Sequence, residues 1–268
     1  MSTSKPVTLI TGASAGIGAA LAHVFAEHGH DLVLVARREV ELAALADAIM
    51  AAGRRRPNVL TVDLASADAC DRLARDLEAR GLRPAVVINC AGFGLRGHAV
   101  ELDRAQQLAM IDLNMRVLTD LSLRWVEGMA RHGGGILNVG SLASFYSGPG
   151  MAVYFASKAY GLAFSEGLHR ELAPTGVKVT IVCPGPVPTG FHARAGTDEH
   201  RLPRQLVRSA ERVAREAHAG FMRGQRLVIP GFANKLAAAL PRFLTRSQAL
   251  DLARTRQLEI GSMKPRIG

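Results

Sequence analysis

The chain has 268 residues, 48% of them hydrophobic, which suffices for the core of one large α/β domain or two small ones. No apolar run approaches the ~20 residues of a membrane-spanning helix, and residues 1–6 lack the apolar segment of a signal peptide. Cys70, Cys90 and Cys183 lie far apart without metal-ligand spacing. These features favour a cytoplasmic protein with reduced thiols.

The net charge of +10 is concentrated at the C-terminal end. Residues 1–200 carry 19 Lys and Arg against 19 Asp and Glu, whereas residues 201–268 carry 14 basic and 4 acidic residues. Such a basic segment is a solvated face, or it attracts an anionic substrate, an acidic carrier protein or a membrane surface. Nucleic acid is disfavoured, because the segment has few aromatic residues to stack on bases and matches no recognition motif.

The first elements predict a phosphate-binding turn. Residues 7–10 are typical of a buried strand, and a glycine-rich sequence and an apolar-periodic helix follow. Gly12 permits a tight turn, Gly16 lets the backbone approach a pyrophosphate, and Gly18 lets the helix lie close to the strand. The helix N-terminus, where we place Ile17, offers free N–H groups to the phosphates. The alternative is an ordinary strand–helix loop.

The second strand, residues 31–36, ends without the carboxylate that would bind free ribose hydroxyls. Arg37 and Arg38 follow it, and the guanidinium fork of Arg37 suits the extra 2′-phosphate of NADP. We therefore expect NADP in preference to NAD, with Ser14 as a second phosphate ligand. The alternative is that both arginines are solvated residues at a helix start.

The remaining pattern alternates strands and helices. Mostly apolar strands are predicted at 59–62, 86–88, 135–140, 177–182 and 226–230, and helices at 39–52, 66–80, 102–131, 151–172 and 209–223. The predicted fold class is α/β, with a doubly wound parallel sheet of about seven strands and helices on both faces.

Ligands of such sheets bind at the carboxyl ends of the strands. The later candidates at those ends are Asp63, Asn89, Ala91, Gly92, Ser141, Pro184 and Gly185. Tyr154 and Lys158 lie four residues apart, so they project from the same face of their helix. A lysine ammonium beside a tyrosine favours the phenolate and lowers its pKa toward the working range. Ser141 could hold a substrate oxygen, whereas Asn114, inside a long predicted helix, is either functional or a structural polar residue.

Collected in order, these residues resemble the short-chain dehydrogenase/reductase family. The resemblance covers residues 6–190, and its matching features are T-G-A-S-A-G-I-G from Thr11 to Gly18, Asp63, N-C-A-G from Asn89 to Gly92, Asn114, Ser141, Tyr154, Lys158 and Pro184-Gly185. Cys90 departs from the asparagine that the family more often has there. The resemblance implies a single Rossmann-type domain over 1–268, usually in an oligomer (a dimer or tetramer), that transfers hydride between nicotinamide and a carbonyl or secondary alcohol.

The resemblance also implies roles for individual residues. Tyr154 would be the general acid in reduction, and Lys158 would lower its pKa and bind the nicotinamide ribose. Ser141 would orient the carbonyl, and Asn114 would hold a water that relays protons. The segment that includes Pro184, Gly185, Val187 and Thr189 would lie against the nicotinamide.

Beyond Thr189 the sequence indicates a substrate-loop region over 186–225, with a lid at 186–205, and a basic C-terminal extension over 232–268. Candidates to line an apolar pocket are Phe93, Leu95, Phe145, Met151 and Phe191. The extension has the spacing of an amphipathic helix, interrupted by Pro241, that suits a subunit contact, a pocket cover or a membrane surface.

Two alternatives to a general carbonyl reductase remain open from the sequence. One is a catalytically silent, NADP-binding regulatory protein, and the other is a narrower enzyme, a 3-oxoacyl thioester or hydroxysteroid reductase. A nucleotide-sugar epimerase is disfavoured because such proteins generally carry a larger substrate domain.

Overall fold

The protein is described by a computed structural model that covers residues 4–190, 195 and 204–258, with the backbone alone for 254–258. Within these residues one parallel sheet has the strand order β3-β2-β1-β4-β5-β6-β7. The strands are β1 (Lys5–Thr11), β2 (Leu32–Ala36), β3 (Asn58–Thr61), β4 (Leu82–Asn89), β5 (Gly135–Val139), β6 (Lys178–Val182) and β7 (Leu227–Val228). The strand order reverses next to β1, so the crevice at the carboxyl ends of β1 and β4 is the expected ligand site.

Ten α-helices are found in the described part of the chain. They are α1 (Gly16–Glu27), α2 (Glu39–Ala51), α3 (Ala69–Ala79), α4 (Arg104–Ile111), α5 (Leu118–Leu123), α6 (Val126–His132), α7 (Ala152–Leu172), α8 (Ala210–Met222), α9 (Phe232–Ala239) and α10 (Arg246–Leu258). Among the described helices, none combines the length and the apolar character needed to cross a membrane.

Alternating strand residues build a core on each face of the sheet, because successive side chains of a strand point to opposite faces. Ile10 of β1 and Leu34 of β2 pack with α1, α2 and α8. Leu9 and Val33, one position earlier in each strand, pack on the other face with α3, α5 and α7. This arrangement confirms the predicted α/β fold class.

The long predicted helix over 102–131 is divided in the structure. A π-helical turn (Asp112–Val117) separates α4 from α5, and α6 begins only at Val126. Such turns often occur at functional sites, and this one contains Asn114, whose amide bonds to the backbone of another segment. Near the C-terminus the interruption expected at Pro241 is found, as a 3₁₀ turn (Leu240–Phe243) between α9 and α10.

Candidate active site

A cleft of about 740 Å³ runs along the carboxyl edge of the sheet. Most of the predicted site residues line it: Gly12, Ser14, Gly16, Ile17, Gly18, Arg37, Arg38, Asp63, Ala91, Gly92, Ser141, Tyr154, Lys158, Pro184, Gly185, Val187 and Thr189. The topology therefore brings together side chains that are far apart in the sequence.

The glycine-rich turn has no room for side chains at the positions that the sequence singled out. Gly12 and Gly16 adopt φ angles of +67° and +56°, in the left-handed region that favours glycine. A Cβ atom at Gly18 would lie 2.2 Å from the carbonyl oxygen of Gly12, and one at Gly16 would lie 2.9 Å from the side chain of Thr189. This close backbone packing at the start of α1 fits a bound pyrophosphate.

Thr11 joins the ends of the two central strands. Its hydroxyl accepts hydrogen bonds of 3.1 Å from the backbone N–H groups of Cys90 and Ala91, and it donates to the carbonyl of Ile88 at 3.3 Å. The threonine thus fixes the small-residue segment that follows β4. Thr11 is the first residue of the motif T-G-A-S-A-G-I-G, but its place in that motif does not indicate this role.

Next to the glycine-rich turn, two of the predicted 2′-phosphate ligands contact each other. The Arg38 guanidinium donates to the Ser14 hydroxyl at 3.0 Å and pairs with Glu41 at 3.2 Å. Arg37 also lines the cleft, so both guanidinium groups are available at this rim. Arg38, which the sequence analysis placed second to Arg37, is the one that bonds to the glycine-rich turn.

The reactive centre lies between β5 and α7. Ser141 caps the 3₁₀ turn Leu142–Phe145 and accepts from the N–H of Ala143 at 3.1 Å, which orients its hydroxyl. The side chain of Ser141 is also hydrogen-bonded to the phenol of Tyr154, whose side chain is buried. The Lys158 ammonium donates to the carbonyl of Val139 at 2.9 Å and lies 6.0 Å from the centre of the Tyr154 ring.

The pKa of Tyr154 departs from our expectation in its direction. We predicted that Lys158 would lower it, but burial raises the pKa of Tyr154 to about 12, and the Ser141 hydrogen bond lowers it only in part. Burial also lowers the pKa of Lys158. Loss of solvation therefore sets the direction of the shift, and the phenol keeps its proton at neutral pH.

Asn114 does not line the cleft, but its hydrogen bonds hold segments that pack next to the reactive centre. Its amide exchanges two hydrogen bonds with the backbone of Phe93, at 3.0 and 3.2 Å, and donates to Ser157 at 3.0 Å. Ser157 in turn donates to the carbonyl of Tyr154 at 2.7 Å. A Cβ atom at Gly92 would lie 2.9 Å from the Asn114 side-chain oxygen. The role of Asn114 in holding a water that relays protons stays a prediction.

Asn89, one of the predicted cofactor-binding residues, does not line the cleft, and its contact with the cofactor stays a prediction. The Asn89 side chain is buried, and it donates to Ser122 at 3.0 Å and to Asn138 at 2.9 Å. Asn138 continues the network to Ser165 of α7 at 2.9 Å. The Asn89 amide nitrogen therefore ties the sheet to α5, because a buried N–H group needs an acceptor in the core.

The part of the cleft away from the glycine-rich turn is mainly apolar. Of the predicted pocket residues, Phe93 and Met151 line it, Leu95 and Phe145 do not, and Phe191 lies outside the described residues, as does most of the predicted lid. The structure adds Arg96, Leu142, Tyr146, Phe155, Leu206 and Ala237. Phe155 flanks the motif residue Tyr154, a signal that could have identified it.

Helix α9 closes this part of the cleft, and no sequence motif marks the residues that hold it in place. The Tyr146 hydroxyl donates to the carbonyl of Ala237, and the fully buried Asn234 donates to the carbonyls of Leu206 at 3.1 Å and Pro230 at 2.7 Å. A Cβ atom at Gly185 would lie 2.5 Å from the Asn234 side-chain oxygen. Asn234 thus fastens the substrate-loop region and the segment after β7 to α9.

Comparison with known proteins agrees with this geometry. The family model described as short chain dehydrogenase matches residues 6–200. A sulfoacetaldehyde reductase of Chromohalobacter salexigens is 36% identical over 194 residues, which cover 71% of this chain and 76% of the relative. A second sulfoacetaldehyde reductase of that organism is 35% identical over 197 residues, covering 72% of this chain and 77% of the relative.

Two solved structures resemble nearly the whole chain. A short-chain dehydrogenase from Sphingobium yanoikuyae in complex with NADPH is 34% identical, with a TM-score of 0.79 and 98% of each chain covered. The bulky-bulky ketone specific alcohol dehydrogenase from Comamonas testosteroni is 30% identical, with a TM-score of 0.73 and 99% and 98% covered. The chain is therefore an oxidoreductase that belongs to the short-chain dehydrogenase/reductase family.

Proposed function

We propose that the protein uses NADPH to reduce an apolar ketone or aldehyde, or oxidises the matching secondary alcohol with NADP⁺. The observation that carries this proposal is the position of Tyr154. Its buried hydroxyl is bonded to Ser141 in one continuous cleft whose walls include the glycine-rich turn and an apolar pocket. The chemistry of a protonated phenol next to a second hydroxyl suits the reduction of a carbonyl.

The residues present fit a dinucleotide with a 2′-phosphate. The turn from Gly12 to Gly18 would hold the pyrophosphate, and Arg37, Arg38 and Ser14 would hold the 2′-phosphate. Tyr154 and Lys158 would bind the nicotinamide ribose, and the segment over 184–189 would contact the nicotinamide. When bound in its reduced form, the cofactor supplies the hydride that reduces the carbonyl carbon. The S. yanoikuyae relative, solved with NADPH, supports this choice of cofactor.

The chain's own groups would complete the reaction. Ser141 would donate a hydrogen bond to the carbonyl oxygen, and Tyr154 would transfer its phenolic proton to that oxygen. The hydride and this proton together convert the ketone to the alcohol. Asn114 and Ser157 would act as positioning residues, because their hydrogen bonds fix the backbone on either side of the centre.

The walls of the pocket favour a large apolar substrate. Phe93, Met151 and Phe155 present hydrocarbon surface to the cleft, and burying a methylene group contributes ~0.8 kcal/mol. The similarity to a bulky-bulky ketone specific enzyme supports this class. A small sulfonated aldehyde is the second candidate, because two relatives are sulfoacetaldehyde reductases and Arg96 brings a cation to the cleft wall.

A substrate panel tests the proposal. We expect kcat/KM with NADPH to rise by at least about tenfold from acetone to acetophenone or benzophenone, because the larger ketones bury more apolar surface. The measurement is the loss of NADPH absorbance, with sulfoacetaldehyde in the same panel. Preference for sulfoacetaldehyde would select the second candidate. Tight NADPH binding without turnover of any carbonyl would favour the catalytically silent protein.

The assignment of the 2′-phosphate site makes a separate prediction. Arg38→Ala is expected to raise the Kd for NADPH by about 10–100-fold, because it removes a charge-assisted hydrogen bond of ~1.5–3 kcal/mol. The Kd for NADH should stay unchanged, since NADH lacks the phosphate. Fluorescence titration with both cofactors measures the ratio, and Arg131→Ala in α6 serves as the control. An equal rise in the Kd values for NADPH and NADH would contradict the assignment. Similar Kd values for the two cofactors in the unaltered protein would contradict it as well.

A further inference from the structure

Helix α9 and the 3₁₀ turn after it leave large apolar side chains in solvent. Phe232 is 74% exposed and Leu236 is 58% exposed, and their i, i+4 spacing places them on one face of α9. Phe243, in the following turn, is 82% exposed. We call these three residues the outer apolar surface. Clustered exposed apolar residues mark interaction sites more often than single ones do.

The opposite side of α9 is firmly held. Asn234 and Ala238 are buried, and the carbonyl of Ala237 accepts a hydrogen bond from Tyr146. The helix is therefore already packed through one face, so its orientation is fixed and the outer apolar surface is left for a partner.

The charges of this segment indicate the chemistry of the partner. Residues 232–250 contain Lys235, Arg242 and Arg246, all exposed, and no aspartate or glutamate. Two copies of such a surface would repel each other, whereas an anionic lipid surface would attract it. Large apolar side chains interleaved with cations are typical of elements that lie in a membrane interface.

We propose that the outer apolar surface docks the protein on anionic membranes, with Phe232, Leu236 and Phe243 inserted among the lipids and the three cations near the headgroups. Docking would be reversible, because the segment lies on the surface and does not span the bilayer. It would also bring the cleft wall formed by Ala237 close to the lipid, which suits a substrate that partitions into membranes. This last point rests on the proposed reaction, whereas the docking itself does not.

Vesicle flotation of the full chain tests the proposal. We expect the protein to float with vesicles that contain phosphatidylglycerol and to remain at the bottom of the gradient with pure phosphatidylcholine. Raising the ionic strength from low salt to about 1 M should weaken binding, because the Debye length falls to ~3 Å. Failure to float with anionic vesicles even at low salt would overturn the proposal.

Substitutions distinguish vesicle binding through the outer apolar surface from nonspecific hydrophobic binding. The double change Phe232→Ser and Phe243→Ser is expected to weaken vesicle binding by at least about tenfold, since each phenylalanine loses its burial in lipid. Val40→Ser and Val100→Ser remove side chains that are 79% and 75% exposed elsewhere, and they should leave binding unchanged. Equal binding by the double variant, or equal loss in the controls, would contradict the assignment.

A charge reversal and a mass measurement complete the test. Lys235→Glu with Arg242→Glu should abolish flotation, whereas Arg80→Glu, at an exposed position after α3, should have little effect. Carbonyl reduction in solution by each variant shows that the protein is folded, because none of these residues lines the cleft. Sedimentation velocity should give the same mass for the phenylalanine double variant and the unaltered protein. A smaller mass would show that the surface joins subunits and would overturn the membrane proposal.

Discussion

Tyr154→Phe is expected to lower kcat for carbonyl reduction by about 10²–10⁴-fold, the usual cost of losing a general acid. The substitution removes one oxygen from a buried ring and keeps the ring itself, so the packing of α7 should persist. The Kd for NADPH should change little by comparison, because the phosphate contacts lie elsewhere in the cleft. Steady-state kinetics and a binding titration on the same preparation measure both quantities.

Tyr160→Phe is the matched control. Tyr160 lies on the same helix, and its hydroxyl is hydrogen-bonded to Thr119 at 2.6 Å, outside the cleft. This variant also loses a hydrogen-bonded phenol, yet its kcat should be nearly unaffected. Similar losses in both variants would show that the effect comes from α7 and not from proton transfer. Near-normal turnover by Tyr154→Phe would refute the assigned role.

The raised pKa of Tyr154 gives the reaction a pH dependence with a definite sign. Burial raises that pKa to about 12, so the protonated acid needed for reduction is present throughout the neutral range. Oxidation of the alcohol needs the phenolate, whose fraction grows about tenfold per pH unit below the pKa. We therefore expect kcat for oxidation to rise with pH through the alkaline range while kcat for reduction stays flat. An oxidation rate that is flat from about pH 7 to 10 would contradict this.

The sequence predicted the fold, and it identified residues that the structure brings to one cleft, because both depend on local patterns. Apolar runs and glycine spacing fix the strands and the turn from Gly12 to Gly18, and the parallel topology then places Ser141 beside Tyr154. The substrate half depends on packing between distant segments. The hydrogen bonds that hold α9, from Tyr146 to Ala237 and from Asn234 to Leu206, join parts of the chain that no short motif relates.

Burial explains two features of the site that the sequence did not indicate. Asn89 carries the residue type of a ligand contact, but its position in β4 buries the amide, which then bonds to Asn138 and Ser122. The Lys158 ammonium lies 6.0 Å from the centre of the Tyr154 ring, but burial is the largest cause of the shift in the tyrosine pKa and raises it. Burial is a property of the folded chain, so the i, i+4 spacing of these two residues could not supply it.

Gly18→Ala is expected to disrupt the cofactor end of the cleft more than any other single methyl addition in the glycine-rich turn. The new Cβ would lie 2.2 Å from the Gly12 carbonyl oxygen and 2.8 Å from its carbon, and backbone atoms cannot rotate away as a side chain does. The start of α1 must then move from the turn. We expect a loss of about 1–3 kcal/mol in the free energy of unfolding and a rise of at least about tenfold in the Kd for NADPH.

Urea unfolding and NADPH titration of the same variant measure these effects, with Gly167→Ala as the matched control. Gly167 also lies in a helix, but a Cβ atom there would meet nothing within 4 Å. That variant should bind NADPH normally, and its free energy of unfolding should rise by up to about 1 kcal/mol, since alanine has a higher helix propensity than glycine. Gly18→Ala could instead leave both the free energy of unfolding and the Kd for NADPH unchanged. The turn would then accommodate a side chain at position 18, and close packing of α1 against Gly12 would not explain how the chain holds a pyrophosphate.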